Sequence, residues 1–290
     1  MILPFELPPP PGYSVSPKWD GLNFTIGDQC SPVLEYSTNF SGWTDNLTAL
    51  HEELIGANHP IDIASRVHAC SQVKEHIPNG RGVIMEIGCS SGYLLRDLGT
   101  IFPDAIVIGG DVVREPLFKL AERLPGIPLI RFDLLQSPLP DNIADVLVML
   151  NVLEHIEDDV AALKKAYNLL KPGGSLIIEV PSGPYLFDSY DRQLHHFRRY
   201  SAAELHSKLT RAGFRVVRKS HLGLLLFPAF AVSKLLSKWN PFFRNKDTVQ
   251  KKAAQTAGNV LVGLAMKIES KYLSAYSLPF GIRVLAVAQK

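Results

Sequence analysis

The sequence has few cysteines and no long apolar run, and each shortage excludes a class of protein. Only three cysteines occur in 290 residues, Cys30, Cys70 and Cys89, and none belongs to a C-x-x-C pair. This argues against a zinc site or a disulfide framework, and a reducing, cytoplasmic compartment is the expectation. The most apolar stretch, at 222–232, is too short to span a bilayer, which takes ~20 apolar residues.

The charge is also nearly balanced, with 30 Lys and Arg against 28 Asp and Glu and a net charge of +2. The basic residues are scattered, and no basic stripe alternates with aromatic side chains. We therefore expect no nucleic-acid partner. A chain of this length with 46% hydrophobic residues can form one large α/β domain with an elaborated cap, or two small domains.

Short apolar segments alternate with helical patterns from residue 82 onward. Strands are predicted at 82–87, 105–108, 128–132, 144–150 and 175–180, with helices between them at 93–102, 115–124 and 159–170. A polar loop at 181–199, a helix from Ser201 to Ala212 and strands at 214–219 and 282–288 complete the pattern. This alternation predicts a doubly wound, mostly parallel sheet that is buried on both faces.

The flanking segments differ from this pattern and suggest a division of the chain. Residues 1–45 are rich in Pro, Gly, Ser and Asn and predict an irregular arm, which two helical patterns follow. We predict an N-terminal arm with cap helices at 1–80, a core at 81–221, a helical insertion at 222–281 and a final core strand at 282–290. The apolar segment 222–238 can serve as a lid, a dimer interface or a membrane-surface contact; without any partner, it would be buried against the protein's own sheet.

A glycine-rich turn follows the first strand of the alternating series. Glu86, Gly88 and Gly92 have the spacing E-x-G-x-x-x-G. The glycines let the backbone approach a ligand, and the helix that begins near Gly92 offers free N–H groups. In open α/β sheets, ligands bind beyond the carboxyl ends of the strands. On its own, however, the turn is also compatible with a tight connection that binds nothing.

Polar side chains stand at the ends of the next three strands. Asp111 ends the second strand, Asp133 the third and Asn151 the fourth. An acidic residue at the position of Asp111 can accept hydrogen bonds from both hydroxyls of a ribose, and Asp133 can accept one from an adenine amino group. Each Asp alone could be a helix cap, but a shared ligand explains all of them together.

Two further motifs complete the pattern, Asn151-Val152-Leu153-Glu154-His155-Ile156 and Leu170-Lys171-Pro172-Gly173-Gly174. Together, the motifs resemble those of the class I S-adenosylmethionine-dependent methyltransferases, in particular the subgroup that acts on small molecules, quinones and lipids. The resemblance covers about 82–220 and the final strand. It implies a Rossmann-like sheet of seven strands with a helical cap, the last strand antiparallel, and S-adenosyl-L-methionine as the cofactor. The residues that it places around this cofactor are Glu86, Gly88, Cys89, Ser90, Gly92, Asp111, Val112, Asp133, Leu134 and Asn151.

The resemblance also implies a role for each part of this set. The loop 88–92 would pass under the methionine part of the cofactor, and Glu86 would support the loop or face the amino group. Asp111 would hold the ribose, Asp133 and Leu134 would flank the adenine, and the backbone of Asn151 would line the sulfonium side. Many family members carry a glycine at the position of Ser90. A dinucleotide dehydrogenase, the competing interpretation, needs G-x-G-x-x-G, which follows none of the strands.

A second group of candidate residues lies in the loop after the fifth strand, which borders the substrate pocket in similar methyltransferases. The candidates for substrate binding are Tyr190, Arg198, Arg199 and Tyr200, and those for catalysis are His195, His196 and the earlier His155. Histidine can act as a base near neutral pH, and arginine can clamp a carboxylate or a phosphate. Alternatively, the arginines pair with nearby acids and hold the loop, and His155 shapes the pocket wall.

The expected function is S-adenosylmethionine-dependent O-methylation of a small, partly apolar molecule. The alternatives are N- or C-methylation, a peripheral membrane enzyme acting on a lipid or glycolipid, and a protein that binds the cofactor without catalysis. The expected partner is the small methyl acceptor, and the insertion can also form a homodimer. Glu154, His155, Asp158 and Asp159 are close in sequence, but acidic residues at a helix start compensate its dipole, so no metal site is predicted.

Overall fold

The computed structural model describes residues 2–36, 44–54, 56–239, 259–273 and 276–290. Its strands are β1 Lys18–Trp19, β2 Phe24–Ile26, β3 Gln29–Ser31, β4 Val33–Glu35, β5 Val83–Ile87, β6 Ile106–Asp111, β7 Leu129–Arg131, β8 Ala144–Leu150, β9 Leu170–Pro181, β10 Arg215–Leu222 and β11 Arg283–Gln289. Its helices are α1 Asp45–Leu54, α2 Pro60–His76, α3 Tyr93–Ile101, α4 Glu115–Arg123, α5 Asp159–Leu169, α6 Ser189–Gln193, α7 Ala202–Arg211, α8 Phe227–Trp239 and α9 Val260–Tyr272.

One mixed sheet organises the molecule, with the strand order β10-β11-β9-β8-β5-β6-β7-β4. The strands from β9 to β4 run parallel to their neighbours, whereas β11 is antiparallel to both β9 and β10. This confirms the predicted doubly wound α/β fold and its antiparallel last strand. The prediction of seven strands was wrong, because β4 from the N-terminal arm adds an eighth strand beside β7.

The N-terminal arm forms four short strands within its described residues 2–36, which corrects the prediction of an irregular arm for this part of residues 1–45. Strands β1, β2 and β3 form a small antiparallel sheet, and Leu34 of β4 pairs with Ile130 of β7. The side chains of Leu7, Phe24 and Leu34 are buried in the main core. Strands of two or three residues give too short an alternation to be recognised in a sequence.

The sheet is buried on both faces because its strands are apolar on both sides. Within β5, Ile84 belongs to one hydrophobic cluster and Met85 to the other, as the alternation of side chains along a strand requires. Helices α2, α3 and α4 cover the Ile84 face, and α5 and α7 cover the Met85 face; their buried side chains include Val73, Leu95, Leu117, Leu163 and Leu205.

The described residues of the predicted insertion, 222–239, 259–273 and 276–281, contain helices α8 and α9. Helix α9 covers residues 260–272, and residues 251–258 lie outside the described residues. Met266 of α9 packs with Ile61 of α2 and Ile282, and the buried Glu269 accepts hydrogen bonds from the N–H groups of Gly223 and Leu225. Among the described helices, none combines the length and the apolarity needed to cross a bilayer. The division at 80, 221 and 281 stays a prediction.

The place of β4 in the core can be tested by two leucine substitutions in the same arm. Leu34 is 1% exposed and Leu22 is 60% exposed. We expect Leu34→Ala to lower the free energy of unfolding by about 2–5 kcal/mol, because a buried leucine leaves a cavity. Leu22→Ala should change it by less than about 0.5 kcal/mol. Urea denaturation followed by circular dichroism measures both, and equal effects of the two variants would contradict the position of β4.

Candidate functional site

The carboxyl ends of the parallel strands open into a cavity of about 680 Å³. All ten residues predicted to surround the cofactor line it, namely Glu86, Gly88, Cys89, Ser90, Gly92, Asp111, Val112, Asp133, Leu134 and Asn151. They come from the ends of four different strands and from the turns that follow. We call the part formed by residues 86–92, Asp111 and Asp133 the glycine-loop wall.

The turn after β5 requires glycine for two reasons. Gly88 has φ of 76°, in the left-handed region that side chains with a Cβ avoid, and a Cβ there would lie 2.3 Å from Cγ2 of Val152. Gly92, at the start of α3, has φ of 73°, and its Cβ would lie 2.2 Å from Cδ1 of Leu120. Ser90 also has a positive φ, 43°, which explains why a glycine suits this position in similar sequences.

Asp111 ties this turn to the end of β6. Its Oδ2 accepts a hydrogen bond from the Ser90 N–H at 2.7 Å, and its Oδ1 accepts from the N–H groups of Val112 at 2.7 Å and Val113 at 3.3 Å. Burial raises the pKa of Asp111, and these N–H bonds oppose that rise. A carboxylate has about four acceptor positions, so the group keeps capacity for a ligand hydroxyl after holding the loop.

Glu86 is buried in the same wall, and one of its oxygens is not satisfied by the protein. Burial raises the pKa of Glu86 well above its usual value, and the charge of Asp111 raises it further. Its Oε2 has no hydrogen-bond partner among the described residues. A buried polar atom without a partner at the edge of a cavity is typical of a group that contacts a ligand. The wall therefore fits a molecule with a donor near Glu86 and hydroxyls near Asp111.

The opposite group of lining residues comes from the turn after β8 and the loop after β9. Four of the candidate substrate-binding and catalytic residues line the cavity here, namely His155, Tyr190, His196 and Arg199. We call this set, together with Glu154, the histidine wall. Burial lowers the pKa of His155 to about 3 and raises the pKa of Glu154 to about 8. At neutral pH the imidazole of His155 is therefore uncharged.

Three predicted residues of the loop do not line the cavity, which corrects the expectation that they contact the substrate or act as a base there. Arg198 forms an ion pair with Asp159 at 2.6 Å, and the buried Tyr200 donates a hydrogen bond to the same carboxylate at 3.0 Å. His195 has φ of 56° in the turn after α6. The side chains of Arg198 and Tyr200 thus hold the loop against α5, as the alternative interpretation proposed for the arginines.

A buried network of charged side chains holds the residues of the histidine wall in place. Oδ1 of Asp191 accepts hydrogen bonds from His196 Nδ1 at 3.0 Å and from Arg199 Nε at 2.8 Å, and its Oδ2 lies 3.2 Å from Nζ of Lys234. Lys234 also donates to Asp188 at 2.8 Å. Burial alone would raise the pKa of Asp191, but these hydrogen bonds and the charges of Arg199 and Lys234 lower it below its usual range.

Lys234 and Glu154 were missed as site residues by the sequence analysis. Lys234 is a lysine that interrupts the apolar segment 222–238, and that interruption was the available signal. Glu154 was considered as a ligand only in a group with His155, Asp158 and Asp159, and the structure places the last two elsewhere. Asp158 caps α5 by accepting from the Ala161 N–H, and Asp159 pairs with Arg198.

The turn requires glycine, so the same change to alanine should have opposite effects on the free energy of unfolding at Gly88 and at Gly99. Gly88→Ala should lower the free energy of unfolding by about 2–5 kcal/mol, because it adds both a left-handed alanine and a clash with Val152. In the control, Gly99→Ala in the last turn of α3, the added Cβ has its nearest neighbour at 3.8 Å, and the change should stabilise the protein by up to about 1 kcal/mol. Thermal unfolding compares them; a neutral Gly88→Ala would contradict the described turn.

Comparison with known proteins shows the family of the chain. The sequence profile described as "Methyltransferase domain" matches residues 60–219. A protein named probable S-adenosylmethionine-dependent methyltransferase from Mycolicibacterium smegmatis is 31% identical over 138 residues, which are 46% of this chain and 52% of that protein. The chain spans about half the length of the first curated relatives that it matches.

Solved structures share the fold at low sequence identity. A putative sarcosine dimethylglycine methyltransferase from Galdieria sulphuraria has a TM-score of 0.56 and 13% identity, and the match covers 85% of this chain and 98% of that one. Phosphoethanolamine N-methyltransferase 2 from Haemonchus contortus, solved with S-adenosyl-L-methionine, has a TM-score of 0.54 and 20% identity over 84% of this chain and 56% of that one. With the profile match over more than half of its length, the chain belongs to the methyltransferase domain family.

Proposed function

We propose that this protein binds S-adenosylmethionine and transfers its methyl group to an oxygen of a small, partly apolar acceptor. The observation that carries the proposal is that one cavity joins the glycine-loop wall to the histidine wall. When bound, S-adenosylmethionine supplies a methyl group that its sulfonium already makes electrophilic. The protein's main contribution is then to align the acceptor and to exclude water.

The glycine-loop wall supports the choice of this cofactor. The unsatisfied Oε2 of Glu86 suits a positively charged amino group. The remaining acceptor capacity of Asp111 suits a ribose hydroxyl, and Asp133 and Leu134 offer a polar and an apolar contact for the adenine. Asp111 also holds the turn, but a protein that bound no such molecule would have no physical need for a second buried acid with an unsatisfied oxygen, Glu86, beside it.

The histidine wall supports oxygen as the attacking atom. A hydroxyl is a weak nucleophile until its proton is removed or shared, so an O-methyltransferase needs polar groups near the acceptor. Glu154, His155 and His196 are such groups, and Tyr190 and Arg199 add hydrogen-bond donors. N- or C-methylation is the alternative. Assays of phenol, amine and enol acceptors distinguish these alternatives by the position of the transferred methyl group.

Isothermal calorimetry with S-adenosylhomocysteine tests the cofactor site. We expect the full chain to bind this product, and Asp111→Ala to weaken binding by roughly 10–100-fold, because a hydrogen bond to a charged group contributes about 1.5–3 kcal/mol. The control is Asp104→Ala, since the Asp104 side chain is 68% exposed and does not line the cavity. It should bind like the wild type.

Two results would contradict the proposal. One is a wild-type protein that shows no binding at about millimolar ligand. The other is a folded Asp111→Ala variant with unchanged affinity. Binding without transfer to any acceptor would instead favour the expectation of a cofactor-binding protein that is not an enzyme.

A lipid or glycolipid acceptor at a membrane surface is a second candidate, and exposed apolar side chains favour it. Leu235 and Leu236 of α8 and Val260, Leu261 and Leu264 of α9 are all exposed. In a protein that acts only on small molecules, this group of apolar side chains would stay exposed to water, which is unfavourable. Groups of exposed apolar side chains are typical of surfaces that contact a partner protein or a bilayer. The same exposed side chains could instead form a homodimer interface, and the homodimer stays a prediction.

Co-sedimentation with vesicles tests this candidate. If it holds, the protein should pellet with phosphatidylcholine–phosphatidylglycerol vesicles, and the double variant Val260→Ser/Leu261→Ser should reduce the bound fraction several-fold. Ile101→Ser removes an apolar side chain that is 50% exposed on α3 and should bind like the wild type. Equal loss in both variants, or no binding by the wild type, argues against membrane contact.

A further inference from the structure

Glu154 presents a buried carboxyl group that the protein does not satisfy. It lies in the short turn Leu153–His155 directly after β8, is fully buried and borders the cavity. Neither of its carboxyl oxygens has a hydrogen-bond partner among the described residues. Burying such a group is costly unless it is neutralised, paired or bound to a metal. Both oxygens of this acid are therefore open to a ligand in the cavity.

The neighbouring charges do not supply that partner. Lys234 is bonded to both Asp188 and Asp191, and Arg199 is bonded to Asp191, so these two cations are balanced by two carboxylates. Arg283, a third cation near this region, forms ion pairs with Asp62 and Glu179. These ion pairs therefore leave the carboxyl group of Glu154 without a positively charged partner among the three cations.

Two imidazoles complete a set of ligands around Glu154. One donor atom from each of Glu154, His155 and His196 lies within 4.8 Å of the others. The two rings are 4.6 Å apart between centroids and cross at 76°. Because metal–ligand bonds of about 2.1 Å place donors on one cation at most about 4.2 Å apart, a side-chain adjustment of less than ~1 Å would bring the three onto one ion.

The surroundings of His196 orient it as a ligand. Its Nδ1 lies 3.0 Å from Oδ1 of Asp191, and an ionised carboxylate can only accept, so Nδ1 carries the hydrogen. The lone pair of the neutral ring is then on Nε2. A carboxylate that fixes the far nitrogen of an imidazole is the usual outer partner of a metal-bound histidine. Arg199 and Lys234 hold Asp191 in place for this purpose.

We propose that Glu154, His155 and His196 bind a divalent transition-metal cation, such as Zn²⁺, Mn²⁺ or Co²⁺, in the wall of the cavity. Two imidazoles and one carboxylate suit these ions better than Mg²⁺ or Ca²⁺, which prefer oxygen ligands alone. This proposal departs from the expectation of no metal, which considered only Glu154, His155, Asp158 and Asp159, residues close together in the sequence.

Three protein ligands leave coordination positions open for an oxygen of the methyl acceptor, a consequence that rests on the proposed function. Bound to the cation, an acceptor hydroxyl loses its proton to water, the O–H bond breaks, and its electron pair stays on the oxygen. The cation would therefore both hold the acceptor and make its oxygen nucleophilic. The two histidines would then act as ligands and not as bases.

Metal binding can be measured without any acceptor or cofactor. The full chain, treated with a chelator and dialysed, is titrated with CoCl₂ and followed by calorimetry and by visible absorption. We expect one equivalent to bind with a Kd below about 10 µM. Glu154→Gln and His196→Ala should each weaken binding at least tenfold, and His76→Ala, at the end of α2, should leave it unchanged.

Further measurements keep the result unambiguous. If Glu154→Gln fails to fold, His196→Gln provides the second variant, and Co²⁺ should raise the Tm of the wild type but not of this variant. Acetohydroxamate, a small bidentate oxygen ligand, should change the Co²⁺ spectrum by occupying the open positions. The absence of stoichiometric binding of Co²⁺, Zn²⁺ and Mn²⁺ overturns the proposal, as does equal loss in His76→Ala. Binding of S-adenosylhomocysteine is measured on the chelator-treated protein as well. This measurement distinguishes a failure of the metal site from a failure of the proposed cofactor site.

Discussion

The parallel register of β5 with β6 and β8 is the constraint on which the site depends. Ile87 at the end of β5 pairs with Gly110 on one side and with Met149 on the other. Because side chains and turns leave parallel strands at the same edge, the glycine turn, Asp111 and the turn around Glu154 all open into one cavity. No long loop has to fold back to bring these groups together. The site is a consequence of the strand order.

The second wall depends on tertiary contacts that the sheet alone does not determine. Asp191 is fully buried and bonded to His196, Arg199 and Lys234, so it links the loop after β9 to helix α8. Removing one partner from such a network would leave a buried charge uncompensated, which is strongly destabilising. Helix α8 of the predicted insertion thus contributes to the shape of the histidine wall through Lys234. This links the cap to the site by an ionic contact as well as by apolar packing.

The fold and the glycine-loop wall were predictable because both rest on local patterns. Continuous apolar strands specify a parallel sheet, and the residues at their ends then share an edge. The histidine wall was harder, because His195 and His196 are adjacent in sequence and only the backbone of the turn decides which one faces the cavity. Lys234 pairs with acids 43 and 46 residues away, and β4 is only three residues long, so neither has a local signature.

The central claim is that the cavity between the two walls holds S-adenosylmethionine, and a crystal structure of the full chain with S-adenosylhomocysteine tests it most directly. The account predicts density for the nucleoside along the glycine-loop wall. It places the ribose hydroxyls within hydrogen-bond distance of Asp111 and the amino group near Glu86. A nucleoside bound elsewhere on the protein, with these two acids facing only solvent, would contradict it.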